Sequence, residues 1–226
     1  MIPPRRLAPG LLGAAAICTA AAPTTIAAPD ATEVRALWVL RTSLESPEEI
    51  GRMVTMAAAH GFNTLVVQVR GRGDAFFNGG LEMRAASLSA QADAFDPLAE
   101  TLTRAKAAGL RVHAWVNVNL VSSAAELPAP REHVIYEHPE WLMVPRELAP
   151  ELLAIDARSP EYLGRLARWT RANASAIEGL YVSPVHPEAA AHIASIVGDL
   201  ATRYAVDGVH LDYVRYPGAD FHYSRA

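Results

Sequence analysis

The sequence predicts an α/β fold of parallel strands, a partial (β/α)8 (TIM) barrel with about four strands, three to four helices and a long insertion after strand three. Two observations predict it. Short apolar runs alternate with helix-length segments that carry their own start and stop signals. Strands separated by helices of that length must run parallel, through right-handed crossovers. Polar and aromatic residues gather at alternate positions near the C-terminal ends of the apolar runs, where a barrel keeps its active site.

The elements follow in order. Val34 to Leu40 is strand one. Ser46-Pro47-Glu48-Glu49 starts a helix: Ser46 can cap, Pro47 suits the first helical position, and Glu49 stands where a capping box places its acid. That helix stops at Gly61, and Phe62 to Val69 is strand two. Asp96-Pro97 opens the second helix, which ends at Gly109, and Leu110 to Val118 is strand three. Pro187 opens the third helix, ending near Tyr204, and Val206 to Val214 is strand four. Two connections exceed ordinary loop length, residues 70–95 and 119–186, and both leave from strand C-terminal ends. The second holds a further helix start at Ser159-Pro160-Glu161 and reads as an inserted subdomain or lid. Alternation places His113, Trp115 and Asn117 on one face of strand three, and His210 and Asp212 on one face of strand four.

The N-terminus has the composition of an export signal, residues 1–28. Arg5 and Arg6 precede an apolar run, Leu11 to Ala22, too short to span a bilayer comfortably, and small residues around Ala28 suit a signal peptidase. Residues 29–32 are a linker, and 33–226 form the partial barrel. The expected location is periplasmic or secreted, with no integral span after cleavage. Cys18, the sole cysteine, follows Ile17 rather than a small residue, so it reads as filler in the leader instead of a lipid attachment point. The mature chain then has no disulfide or thiol chemistry. Net charge is −4, and all 24 acidic residues lie beyond residue 28, which excludes the basic face a nucleic-acid partner requires.

A family resemblance rests on a series of motifs: Arg35-Ala36-Leu37-Trp38, Asn63-Thr64-Leu65-Val66-Val67-Gln68-Val69-Arg70 with Gly73-Asp74-Ala75, and Asp96-Pro97-Leu98. It continues with His113-Ala114-Trp115-Val116-Asn117, His138-Pro139-Glu140-Trp141, and Val206 through Asp212-Tyr213-Val214-Arg215-Tyr216-Pro217. Their order and spacing over residues 33–220 resemble the bacterial glycosyl-hydrolase-like family ten. The resemblance implies a TIM barrel acting on envelope glycan, with peptidoglycan strands as the target. The strand-four motif is also similar to that of the α-amylase and α-galactosidase superfamily, which implies Asp212 as nucleophile or base, although His210 stands where α-amylases have Arg. In those relatives the barrel continues for four more strands and the acid/base Glu lies on strand five. The resemblance therefore implies half a barrel, a fragment or truncated product, with open edges that invite self-association.

Glycoside hydrolysis needs two carboxyl groups flanking the bond. Asp212 is the first candidate; its competing reading is an anchoring ion pair with Arg215. Asp74, in a glycine-rich loop beside two arginines, either contacts substrate or structures that loop. Trp115 and Trp38 present faces on which a pyranose can stack, or they pack in the barrel's upper layer. Gln68, His113, Asn117, His210, Arg215 and Tyr216 are expected to hold the sugar. His113, His210 and Asp212 are also zinc-binding residue types. No His-x-His pair on strand one or ligand-spaced cluster accompanies them, so neither metal nor cofactor is expected. A non-catalytic glycan-binding protein is the alternative from another class.

Overall fold

The computed structural model describes residues 33–221. Four strands, β1 (Ala36–Val39), β2 (Thr64–Arg70), β3 (Arg111–Asn117) and β4 (Gly208–Asp212), form one parallel sheet in the order β1-β2-β3-β4. Each strand is joined to the next by a crossover, and these crossovers place α1 (Pro47–Ala59), α2 (Pro97–Ala107) and α6 (Pro187–Arg203) on one face of the sheet. The paired segments of β1 and β4 are shorter than the apolar runs. Val34, Leu40 and Val214 extend past the ladder and are exposed. Apolar runs report side-chain character, whereas a ladder also needs a partner backbone.

The helices begin where local chemistry dictates. Ser46 Oγ accepts the Glu49 N–H at 3.2 Å, Asp96 Oδ1 accepts the Ala99 N–H at 3.0 Å, and Ser159 Oγ accepts the Tyr162 N–H at 3.4 Å. Each cap is followed by proline at the first helical position. The other oxygen of Asp96, Oδ2, accepts the Tyr204 hydroxyl at 2.6 Å and so fastens the end of α6 to the start of α2.

Alternation divides the sheet's two faces. Val39, Leu65, Val67, Val112, Ala114 and Val116 point to the helices and bury against Ile50, Val54, Leu98 and Leu200. The opposite face carries Trp38, Gln68, His113, Trp115, Asn117, His210 and Asp212. One extra residue in β2, between the Gln68–Trp115 and Arg70–Val116 pairs, makes a bulge. Arg70 is almost fully buried. Its Nε and Nη2 donate to Glu82 at 2.5 and 2.6 Å, and its Nη1 donates to the carbonyls of Asn117 and Val118. Asp207 pins β4 to β3, accepting the Val112 N–H at 2.8 Å and donating its own N–H to the Val112 carbonyl.

Residues 119–186 contain α3 (Val134–Glu137), α4 (Ala149–Leu152) and α5 (Pro160–Ala172). They bury an apolar cluster of their own, with Ile135, Trp141, Leu142, Leu152, Leu166 and Val182 at its centre. The segment departs and returns side by side, through antiparallel bridges Leu120–Tyr181 and Leu142–Val182. At its root the Gly179 backbone lies so close to the Ser122 carbonyl that a Cβ would sit 1.7 Å from that oxygen, so only glycine fits. Among the described residues no helix is long and apolar enough to cross a membrane. The leader and Cys18 lie outside the described residues.

Candidate functional site

The face turned away from the helices is built in rows by strand register. Trp38, Val66, His113 and Gly208 lie across from one another; Gln68, Trp115 and His210 form the next row; Asn117 and Asp212 form the last. The three aromatic rings meet across these rows. The Trp38 centroid is 4.8 Å from Trp115 and 4.6 Å from His210, both near perpendicular. Trp115 is buried, while Trp38 remains half exposed, so Trp38 supplies the accessible surface of the trio. His113 sits in the deepest row, its ring packed over Gly208, where a Cβ would come within 3.0 Å.

Asp212 ends β4. Its Oδ2 accepts the Trp115 Nε1–H at 3.1 Å, and its Oδ1 accepts the Tyr213 N–H at 2.7 Å. The carboxyl group is thus fixed in orientation by an indole on the neighbouring strand and by the next peptide. Tyr213 is the described non-glycine residue with positive φ, 53°. Such strain is retained where the surroundings over-determine it. Here the turn immediately follows Asp212, and the Tyr213 carbonyl still accepts the Asn119 N–H of the segment after β3.

The competing reading of Asp212, an anchoring ion pair with Arg215, is not what the structure shows. Arg215 Nη2 instead reaches Glu178 Oε1 on the insertion at 2.5 Å, and its guanidinium lies 5.1 Å from the Tyr213 ring centroid. Glu178 also accepts the Tyr181 hydroxyl at 2.8 Å. Burial would raise the Glu178 pKa, but the bonds from Tyr181 and Arg215 outweigh it and lower it overall. Tyr181 is raised, by burial and by that same carboxylate. Tyr216 is exposed one residue further on. The stretch after β4 is sewn to the insertion elsewhere as well: Asn119 Nδ2 donates to the Arg215 carbonyl, Arg146 N–H to the Asp220 carbonyl, and Pro145 bridges Phe221.

Gln68 and Asn117 are buried; Gln68 holds the segment after β1 and Asn117 the loop after β2. Gln68 Oε1 accepts Arg41 Nη1 at 3.0 Å, and Asn117 Nδ2 donates to the Gly71 carbonyl at 2.8 Å. Asn117 Oδ1 is buried with no hydrogen-bond partner. Asp74 Oδ1 accepts the Arg72 backbone N–H at 2.8 Å, a loop-structuring contact, while its side chain also lines a cavity of about 420 Å³ with Arg41 and Arg72. Of the two arginines expected beside Asp74, Arg70 is committed to Glu82 and Arg72 remains. Sequence reasoning missed Arg41, Glu82 and Glu178; their partners lie 27, 12 and 37 positions away, and no local spacing announces such pairs. Among the described residues no group of His, Cys, Asp and Glu side chains is arranged to hold a metal.

No curated protein matches the chain. A crystal structure of a hypothetical protein from Ruminiclostridium thermocellum superposes with a TM-score of 0.51 at 13% identity, covering 82% of this chain and 80% of that one. The α-L-fucosidase isoenzyme 2 of Paenibacillus thiaminolyticus gives 0.49 at 18% identity, covering 80% of this chain and 23% of that one. The sequence pattern of the glycosyl hydrolase-like 10 family matches residues 33–225, nearly everything beyond the N-terminal segment, and the chain belongs to that family.

Proposed function

We propose that this protein is an exported, periplasmic or secreted glycoside hydrolase acting on cell-envelope glycan, with peptidoglycan strands as substrate and Asp212 as nucleophile or base. One observation carries the assignment. Asp212 stands at the C-terminal end of the edge strand β4, held by Trp115 Nε1, beside the Trp38–Trp115–His210 trio. An aromatic face binds the apolar face of a pyranose, and a carboxylate fixed beside it can attack the anomeric carbon or take a proton from water. The Trp115 N–H keeps one Asp212 oxygen oriented, which is the positioning such attack requires. Trp38, with its exposed ring, is the stacking surface, and His210 meets it edge to face; Tyr216, exposed beyond β4, is a further candidate contact.

Asp212→Asn tests this. The exchange preserves size and keeps one acceptor oxygen for one of the two donors, Trp115 Nε1–H or the Tyr213 N–H, at a half-exposed strand end, so the fold should persist. Release of saccharide from isolated glycan strands should fall by roughly 10²–10⁴-fold. Turnover near wild type would defeat the assignment. Strand binding that persists while neither protein releases product would make this a glycan-binding protein.

A further inference from the structure

The cavity beside the candidate site is formed around two arginines on different elements. Arg41 follows β1 and Arg72 follows β2, and both line the space together with Asp74, Glu126, Ser122 and His133. Arg41 lies directly across Gly71: a Cβ there would come within 2.9 Å of Arg41 Nε and Nη1. Gln68, itself buried, holds Arg41 Nη1 at 3.0 Å. On the other side, His133 Nε2 donates to the Arg72 carbonyl at 2.7 Å. Among the described residues neither guanidinium has a carboxylate within ion-pair distance. Burial, and then the Arg41 charge, pull Arg72 below its ordinary value, against weaker opposing pulls from Asp74 and Tyr213. Two cations held close, partly desolvated and without a carboxylate bonded to either, are the arrangement that an anionic ligand relieves.

We propose that this cavity is a subsite for a carboxylate carried by the glycan, gripped between Arg41 and Arg72. The proposal rests on the glycan reading given above. Planar guanidinium forks match a carboxylate. Asp74 and Glu126 on the same wall limit the net positive charge, which suits a monoanion better than a phosphate dianion. Asn117 joins the two regions: its backbone is the register partner of Asp212, and its Nδ2 holds the Gly71 carbonyl between the arginines. A sugar on the aromatic trio would thus meet the arginines through an acidic substituent or an acidic neighbouring unit.

The test is equilibrium binding to the full chain carrying Asp212→Asn, so that ligand is not consumed. The probes are an amino-sugar oligosaccharide bearing lactyl-ether carboxylates, a uronic-acid oligosaccharide, the carboxyl-reduced form of each, and a neutral chitooligosaccharide. The expected result is tighter binding of one carboxylated probe than of its reduced form, about tenfold or more; which probe is preferred identifies the source of the carboxylate. Arg72→Gln and Arg41→Gln, each in the same background, should remove that preference and leave the neutral probe unaffected. Arg72→Lys should recover part of it, because charge returns without the fork. Unfolding midpoints establish that each variant is folded. Equal affinity for acid and reduced probes, or full preference in both Gln variants, overturns the subsite and leaves the glycan reading intact. Failure of every saccharide to bind overturns both.

Discussion

Trp115 is the residue on which the candidate site turns, because it meets both the aromatic trio and the carboxylate. Trp115→Phe keeps most of the ring and removes the N–H that orients Asp212. A hydrogen bond to a charged group contributes about 1.5–3 kcal/mol, so hydrolysis should fall roughly 10- to 150-fold while glycan affinity changes little. A KM-dominated defect in steady-state assays would instead make Trp115 a stacking surface alone. Trp115, Asn117 and Asp212 were legible in the sequence because period-two alternation fixes the face of every strand residue. Arg41 was not. It becomes part of the site only when β1 and β2 pair and the missing Gly71 side chain lets its stem lie across the loop. The pairing of Arg215 with Glu178 rather than Asp212 was equally invisible, since it depends on where the insertion returns.

At the scale of elements, β2, the loop after it and α6 are locked by one buried network. Arg70 and Glu82 are bonded at 2.5 Å, and His192 on α6 reaches Glu82 at 3.4 Å. Burial alone would raise the Glu82 pKa. The Arg70 charge and the bonds from His192 and Arg70 overcome that and bring it from 4.5 to about 2. A depressed folded-state pKa means that the unfolded chain takes up the proton first, so this stabilisation is complete above pH 4.5 and is lost as pH falls through about 2. Glu82→Gln leaves Arg70 charged and buried. It should destabilise the protein by about 3–5 kcal/mol and flatten the acid limb of a urea-denaturation series. A midpoint unchanged at pH 7 would show the pair to be dispensable. Elements with local start signals, such as α1, α2 and α5, were readable because cap, proline and first-turn acid are contiguous. The path of residues 119–186 was not, because short helices and single bridges leave no periodicity, and its root depends on the Gly179–Ser122 approach.

Over the whole molecule, the sheet order is sequential and parallel, as the alternation of strands and crossovers requires. Within the described residues β1 and β4 each pair on one side only, and Trp38, Leu211, Val214 and Tyr216 remain exposed near these edges. Unpaired edges flanked by apolar side chains attract other strands. We expect the protein to associate, with sedimentation-velocity mass rising with concentration, and Leu211→Lys with Val214→Lys to shift it back towards the monomer. A monomer at every concentration would show that the edges are protected. Connectivity was legible at this scale because helix length dictates strand direction. The extent of the surface left for a partner was not, since it depends on side-chain contacts.

The ties between the insertion and the stretch after β4 have a practical consequence for anyone wishing to re-engineer this scaffold. Glu178 grips Arg215, Asn119 holds the carbonyl of that same arginine, and Pro145 and Arg146 meet Phe221 and Asp220. Exchanging residues 119–186 for a relative's segment would therefore also release the anchor that keeps the peptide beyond Asp212 in its uncommon turn. A chimera meant to alter only the insertion would loosen the end of β4 that carries Asp212 too, unless the graft brings its own acid for Arg215.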